Sequence, residues 1–189
     1  IVASLVGSEM CIRDRLVWDD ESVFGPSPNW GDWRDGPGVD ARLREVLEAA
    51  ETLVRDRLAA YGRGAARYGL IHADMRLANL LIDGGDTRLI DFDDCGFGWF
   101  MYDFAAAISF MEEHPQVPAL RESWLDGYRA VRPLDREDEV EIDSFIMLRR
   151  MALLAWTGSH SGTDLARSQA PHFACGTARL AEAYLARFA

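Results

Sequence analysis

The chain has 189 residues and a formal charge of −11, and all 20 of its basic residues are arginine. Such acidity argues against binding nucleic acid through its phosphates, and without a lysine no Walker-type phosphate loop can form. No apolar run reaches the roughly 20 residues that span a membrane. Cysteines at 11, 95 and 175 show no metal-ligand spacing, so the expected setting is a reducing cytoplasm with neither membrane nor nucleic acid as partner.

Residues 1–15, IVASLVGSEMCIRDR, lack the basic start and apolar stretch of a signal peptide. Their segment LVGSEMCIRDR reads as the translation of a transposon-based sequencing adapter. The expectation is therefore a non-native tail at 1–15 and one domain over 16–189. Residues 16–40 place Trp18, Trp30 and Trp33 among Pro26, Pro28, Pro37 and four glycines, which predicts a long loop whose tryptophans seal the core in preference to lining a pocket. From Asp40 to Tyr61, Leu43, Val46, Leu47, Ala50, Leu53, Val54, Leu58 and Tyr61 recur at three- and four-residue steps. That periodicity predicts a helix with Asp40 as N-cap and Gly62 as its stop.

Two short apolar runs follow, Leu80 to Ile82 and Leu89 to Ile90, around Asp83-Gly84-Gly85-Asp86, and predict a hairpin. Beyond a glycine-containing loop, helices are expected at 102–113 and 120–131. A long, largely apolar helix opening at Leu134-Asp135 is expected to form the core, followed by a polar loop at 158–171 and a final helix at 173–188.

The hairpin organises the chemistry. Asn79 precedes its first strand and Asp91 follows its second, so antiparallel pairing brings both to one open end, with Asp74 in the loop feeding it. Magnesium takes hard oxygen ligands and is usually held by one or two carboxylates plus substrate phosphates, a role that fits Asn79 and Asp91. Asp74, nearby but off the metal, suits the proton acceptor of phosphoryl transfer. Asp93 is either an auxiliary metal or substrate contact or a solvated side chain. Arg76 either reaches a phosphate or acidic substrate group or forms a surface ion pair. His72 reads as a packed loop histidine, and Asp103 as a structural carboxylate in the first turn of the following helix.

The run His72-x-Asp74-x-x-x-x-Asn79, then Asp91-Phe92-Asp93, resembles the catalytic core of the aminoglycoside phosphotransferase and choline kinase family, whose fold is the protein-kinase fold. The resemblance covers the C-terminal lobe. It implies an α+β, mainly α-helical unit in which a small β-hairpin carries the catalytic and metal loops. By the same resemblance Asp74 is the catalytic base, Asn79 and Asp91 bind Mg2+ and ATP, and His72 supports the loop. Two departures stand out: Ala73 occupies a position where many members have glycine, and Asp93-Asp94 replaces the glycine of protein kinases. The N-terminal lobe with its phosphate-binding lysine is expected to be missing.

The expected activity is transfer of the γ-phosphoryl of Mg-ATP to a hydroxyl of a small molecule. Within the resemblance the alternative acceptors are a protein Ser or Thr, or homoserine. A haloacid-dehalogenase-like phosphatase built on Asp91-x-Asp93 is disfavoured because Thr or Val is missing after the second Asp and no lysine supports a phosphate. A non-catalytic lobe acting only as a binding module is the other alternative.

Overall fold

The computed structural model describes residues 16–189, so the adapter-like stretch at 1–15 lies outside the described residues. The chain runs β1 (Leu16–Trp18), α1 (Asp20–Phe24), a 3-10 turn (Trp33–Asp35) and α2 (Ala41–Tyr61). It continues through β2 (Tyr68–Ile71), a second 3-10 turn (Leu77–Asn79), the hairpin β3 (Leu80–Asp83) and β4 (Asp86–Leu89), and β5 (Gly96–Trp99). Four helices complete it: α3 (Tyr102–Ala107), α4 (Val117–Arg129), α5 (Arg136–Ser159) and α6 (Asp164–Phe188).

Helix α5 is the centre of the fold. Ile142, Phe145, Leu148, Met151 and Leu154 are fully buried along it. Leu47, Val54 and Leu58 of α2 and Phe173, Ala174 and Ala181 of α6 belong to the same core. Each large apolar side chain buried this way contributes about 1.5 to 3 kcal/mol. Capping follows the sequence closely. The Asp40 side chain accepts the Leu43 amide and Gly62, at φ 78°, ends α2, while Asp135 opens α5 through a reciprocal capping box with Asp138.

Two small sheets flank the helices. In the first, β5 is central, with β1 parallel to it and β2 antiparallel. The second is the β3–β4 hairpin, where Leu80 lies opposite Leu89 and Asp83 opposite Asp86. Its turn residue Gly84 adopts φ 62°.

Four expectations need correction. Residues 16–40 are not one long loop, because β1, α1 and a 3-10 turn form there. The tryptophans do seal the core, with Trp18 and Trp33 each 1% exposed. The strand Gly96–Trp99 was hidden because its glycines read as a loop. A Cβ at Gly96 would lie 2.1 Å from the Leu16 carbonyl oxygen, so glycine is what lets β1 approach. Helix α3 ends at Ala107, well short of residue 113, since the Ser109 hydroxyl takes the Ala106 carbonyl and Phe110 turns to φ 67°. Finally, α6 starts at Asp164, capped by Thr163, and runs through Pro171. Burial of Phe173, Ala174 and Thr177 just beyond the proline outweighs the roughly 3 kcal/mol that an interior proline costs.

Candidate active site

The β2–β3 loop carries His72, Asp74, Arg76 and Asn79, and it is tied down at several points. The half-buried Asp103 carboxylate, in the first turn of α3, accepts the amides of His72 at 3.1 Å and Ala73 at 2.7 Å. It therefore stabilises the loop and not the end of its own helix. Burial pushes its pKa up to about 6, against the opposing effects of those two amides, His72 and Arg149. His72 Nδ1 accepts the Asp74 amide at 3.2 Å, so Nε2 carries the proton donated to the Ile90 carbonyl at 3.0 Å. The Phe92 ring packs on this imidazole with centroids 4.7 Å apart.

Tethered this way, the backbone is strained at two places. Ala73 has φ 64° and Asp91 has φ 63°, a left-handed conformation that costs a non-glycine residue about 1 kcal/mol or more. One strained residue precedes Asp74 and the other is Asp91 itself.

The Asp74 carboxylate is buried and saturated with donors. Arg76 Nε lies 2.9 Å from Oδ1 and 3.1 Å from Oδ2, and its Nη2 lies 3.0 Å from Oδ2. Asn79 Nδ2 donates to Oδ2 at 2.9 Å and to the Asp74 carbonyl at 2.8 Å. Both of these donor contacts of the amide are spent on Asp74. Ile90 donates its amide to the Asn79 carbonyl at 3.0 Å. This places Asp91 one residue beyond the strand partner of Asn79.

Of the residues expected at the site, Asp74, Arg76, Asn79, His72 and Asp103 form one hydrogen-bonded unit. Asp91 and Asp93 are exposed next to it. Among the described residues no group of three or more His, Cys, Asp or Glu side chains could hold a metal ion. A sparse donor set, one amide oxygen and one or two exposed carboxylates, suits a hard cation that keeps waters and phosphate oxygens for its remaining positions.

Sequence reading missed Arg149. It sits mid-way along α5 with its side chain 2% exposed. Its guanidinium donates to Asp74 Oδ1 at 3.0 Å, the Ala73 carbonyl at 3.1 Å, Ser109 Oγ at 3.0 Å and the Tyr102 hydroxyl at 3.4 Å. Burial opposes its charge, but Tyr102, Asp74 and Asp94 outweigh that and hold its pKa above the ordinary value. The one available signal was Arg149-Arg150 interrupting the otherwise apolar stretch from Phe145 to Trp156 of the helix. Asp94, also missed, is half-buried. Its pKa lies above the usual carboxylate range because of burial first, then the Asp74 charge.

Comparison with known proteins decides the family. The model of the phosphotransferase enzyme family APH matches residues 14–139. The chain belongs to this family.

The chain is 30% identical to amicoumacin kinase of Bacillus subtilis over 118 residues, 58% of this chain and 35% of that protein. It is 39% identical to homoserine kinase of Neisseria meningitidis over 75 residues, 38% of this chain and 25% of that protein. Among solved structures, a microcompartment-associated aminopropanol kinase superposes with a TM-score of 0.85 at 47% identity, covering 92% of this chain and 55% of the other. An amicoumacin kinase in complex with AMP-PNP, Ca2+ and Ami superposes with a TM-score of 0.63, covering 87% of this chain and 50% of the other. At 21% identity it speaks for the fold alone. The chain thus spans a quarter to a third of the curated relatives and about half of the solved ones. The mainly helical architecture with small sheets is the kinase-like fold of these proteins, and no described helix is long and apolar enough to cross a membrane.

Proposed function

We propose that residues 16–189 form the C-terminal lobe of an ATP-dependent phosphotransferase that moves the γ-phosphoryl group of ATP to a hydroxyl of a small molecule. The observation that carries this reading is the Asp74 carboxylate. It is buried, held by Asn79 and two arginines, and set on a strained loop beside the open end of the hairpin where Asp91 lies. A lobe reading also accounts for Leu77, Leu81 and Ile82, 62%, 50% and 70% exposed around the hairpin. A nucleotide base and a second lobe would cover such an apolar rim.

In this mechanism Asp74 accepts the proton of the acceptor hydroxyl as the hydroxyl oxygen bonds to the γ-phosphorus and the bond to the bridging oxygen of ADP breaks. Asn79 and Asp91 would hold Mg2+, and Asp93, exposed two residues beyond Asp91, would be an auxiliary contact. The ion when bound neutralises phosphate charge and orients the transferring group. Arg76, on the exposed side of Asp74, must leave the carboxylate before a hydroxyl can reach it, and its guanidinium is then available to phosphate oxygens. His72 and Asp103 hold the loop in place.

The 47% identical aminopropanol kinase favours an amino alcohol as acceptor, and the homoserine kinase match points to a second hydroxylated amine. The test is a panel of 1-amino-2-propanol, homoserine, choline and an aminoglycoside, offered with Mg-ATP to the intact gene product and followed by phosphorus NMR. A phosphate ester should form on an amino alcohol. Nucleotide-dependent labelling of protein serine or threonine, with every small acceptor untouched, would overturn the proposed acceptor class.

A further inference from the structure

Two buried donors reach the Asp74 carboxylate from the protein side, one to each oxygen: Arg149 to Oδ1 at 3.0 Å and Asn79 to Oδ2 at 2.9 Å. Rotating the carboxylate would break both bonds. Arg76 covers the remaining edge of the group, touching both oxygens, and its side chain is 32% exposed. A carboxylate accepts about four hydrogen bonds, so the places Arg76 occupies are the ones an incoming hydroxyl can take. Arg149 itself has nowhere to go. Its side chain is 2% exposed, its donors are distributed over four acceptors, and the ring of Trp30 lies 4.8 Å and that of Tyr102 5.8 Å from its guanidinium carbon.

We infer that Arg149 is a positioning residue for phosphoryl transfer: with Asn79 it fixes the plane of the Asp74 carboxylate so that the edge covered by Arg76 is presented to the acceptor hydroxyl. This rests on Asp74 being the proton acceptor proposed above. The same guanidinium also grips the Ala73 carbonyl, in the residue whose φ of 64° aims Asp74. It therefore controls both the direction of the side chain and the peptide it springs from. A lysine could keep the charge but not the fork that spans Asp74, Ala73 and Ser109 together.

The experiment compares Arg149→Lys, Asp74→Asn and the double variant in the intact gene product, with Arg149→Met as a neutral replacement. Misplacing a reacting group by about 1 Å costs on the order of 100-fold in rate. Arg149→Lys should accordingly lower kcat by about 10- to 100-fold while KM for ATP and acceptor stays within about threefold, and Arg149→Met should lower kcat further. In the Asp74→Asn background, Arg149→Lys should cause no further loss, because the group it positions has already been disabled. A purely structural arginine would instead lower both backgrounds by the same factor. Should Arg149→Met fail to fold, the lysine variant and the double variant decide the matter. Wild-type kcat in Arg149→Lys, or effects that multiply in the double variant, would overturn the inference while leaving Asp74 as base. Near-wild-type turnover in Asp74→Asn would instead remove the mechanism on which it rests.

Discussion

Replacing Asp103 by asparagine should change how stability depends on pH. Desolvation of the half-buried carboxyl moves its pKa from 3.8 to about 6. Between those values the folded protein still holds the Asp103 proton while the unfolded chain has released it. Stability from this group is therefore complete below pH 3.8 and is lost as pH rises through about 6. At about 1.4 kcal/mol per tenfold change in proton affinity, the loss is roughly 3 kcal/mol. The carboxamide of the Asp103→Asn variant cannot ionise, and its oxygen still accepts one of the two amides now held by Asp103. Urea unfolding of both proteins from about pH 4 to about pH 7 gives the test, with every other titrating group common to the pair. The stability difference, variant minus wild type, should shift towards the variant by roughly 3 kcal/mol across that range. A difference that stays constant with pH would refute the argument that burial dominates at Asp103.

Two further predictions concern the backbone. Gly96→Ala should destabilise the fold by about 2 to 4 kcal/mol in denaturant unfolding, since its new Cβ would meet the Leu16 carbonyl oxygen at 2.1 Å; an unchanged midpoint would mean that β1 does not pack as described. Ala73→Gly should relieve left-handed strain and stabilise the protein by up to about 1 kcal/mol, whereas a loss of that size would show that Ala73 is not held at positive φ.

How much was legible in the sequence depended on whether the information was local. The α2 helix could be bounded to within a residue because Asp40 and Gly62 are local signals that the fold obeys. The hairpin and the convergence of Asn79 and Asp91 on its open end were readable because strand pairing across a two-glycine turn fixes register over a short span. Gly96 and Gly98 misled, since their purpose is close approach of a strand 80 residues away, which no local pattern announces. Pro171 misled in the opposite direction, because packing of α6 on α5 overrides its local preference. At the site, the loop residues follow one another in a recognisable spacing. Arg149 reaches the same carboxylate from 75 residues away and belongs to no motif. The pairing of Arg76 with Asp74 depends on the conformation of the loop and could be left only as one of two options.

The most direct test of the central claim is steady-state phosphoryl transfer by the intact gene product and its Asp74→Ala variant, with Mg-ATP and an amino alcohol acceptor. If Asp74 accepts the hydroxyl proton, kcat should fall by about 100- to 10,000-fold while the variant unfolds cooperatively like the wild type. Turnover within about threefold of wild type would mean that the proton goes elsewhere and that the Asp74 cluster is structural.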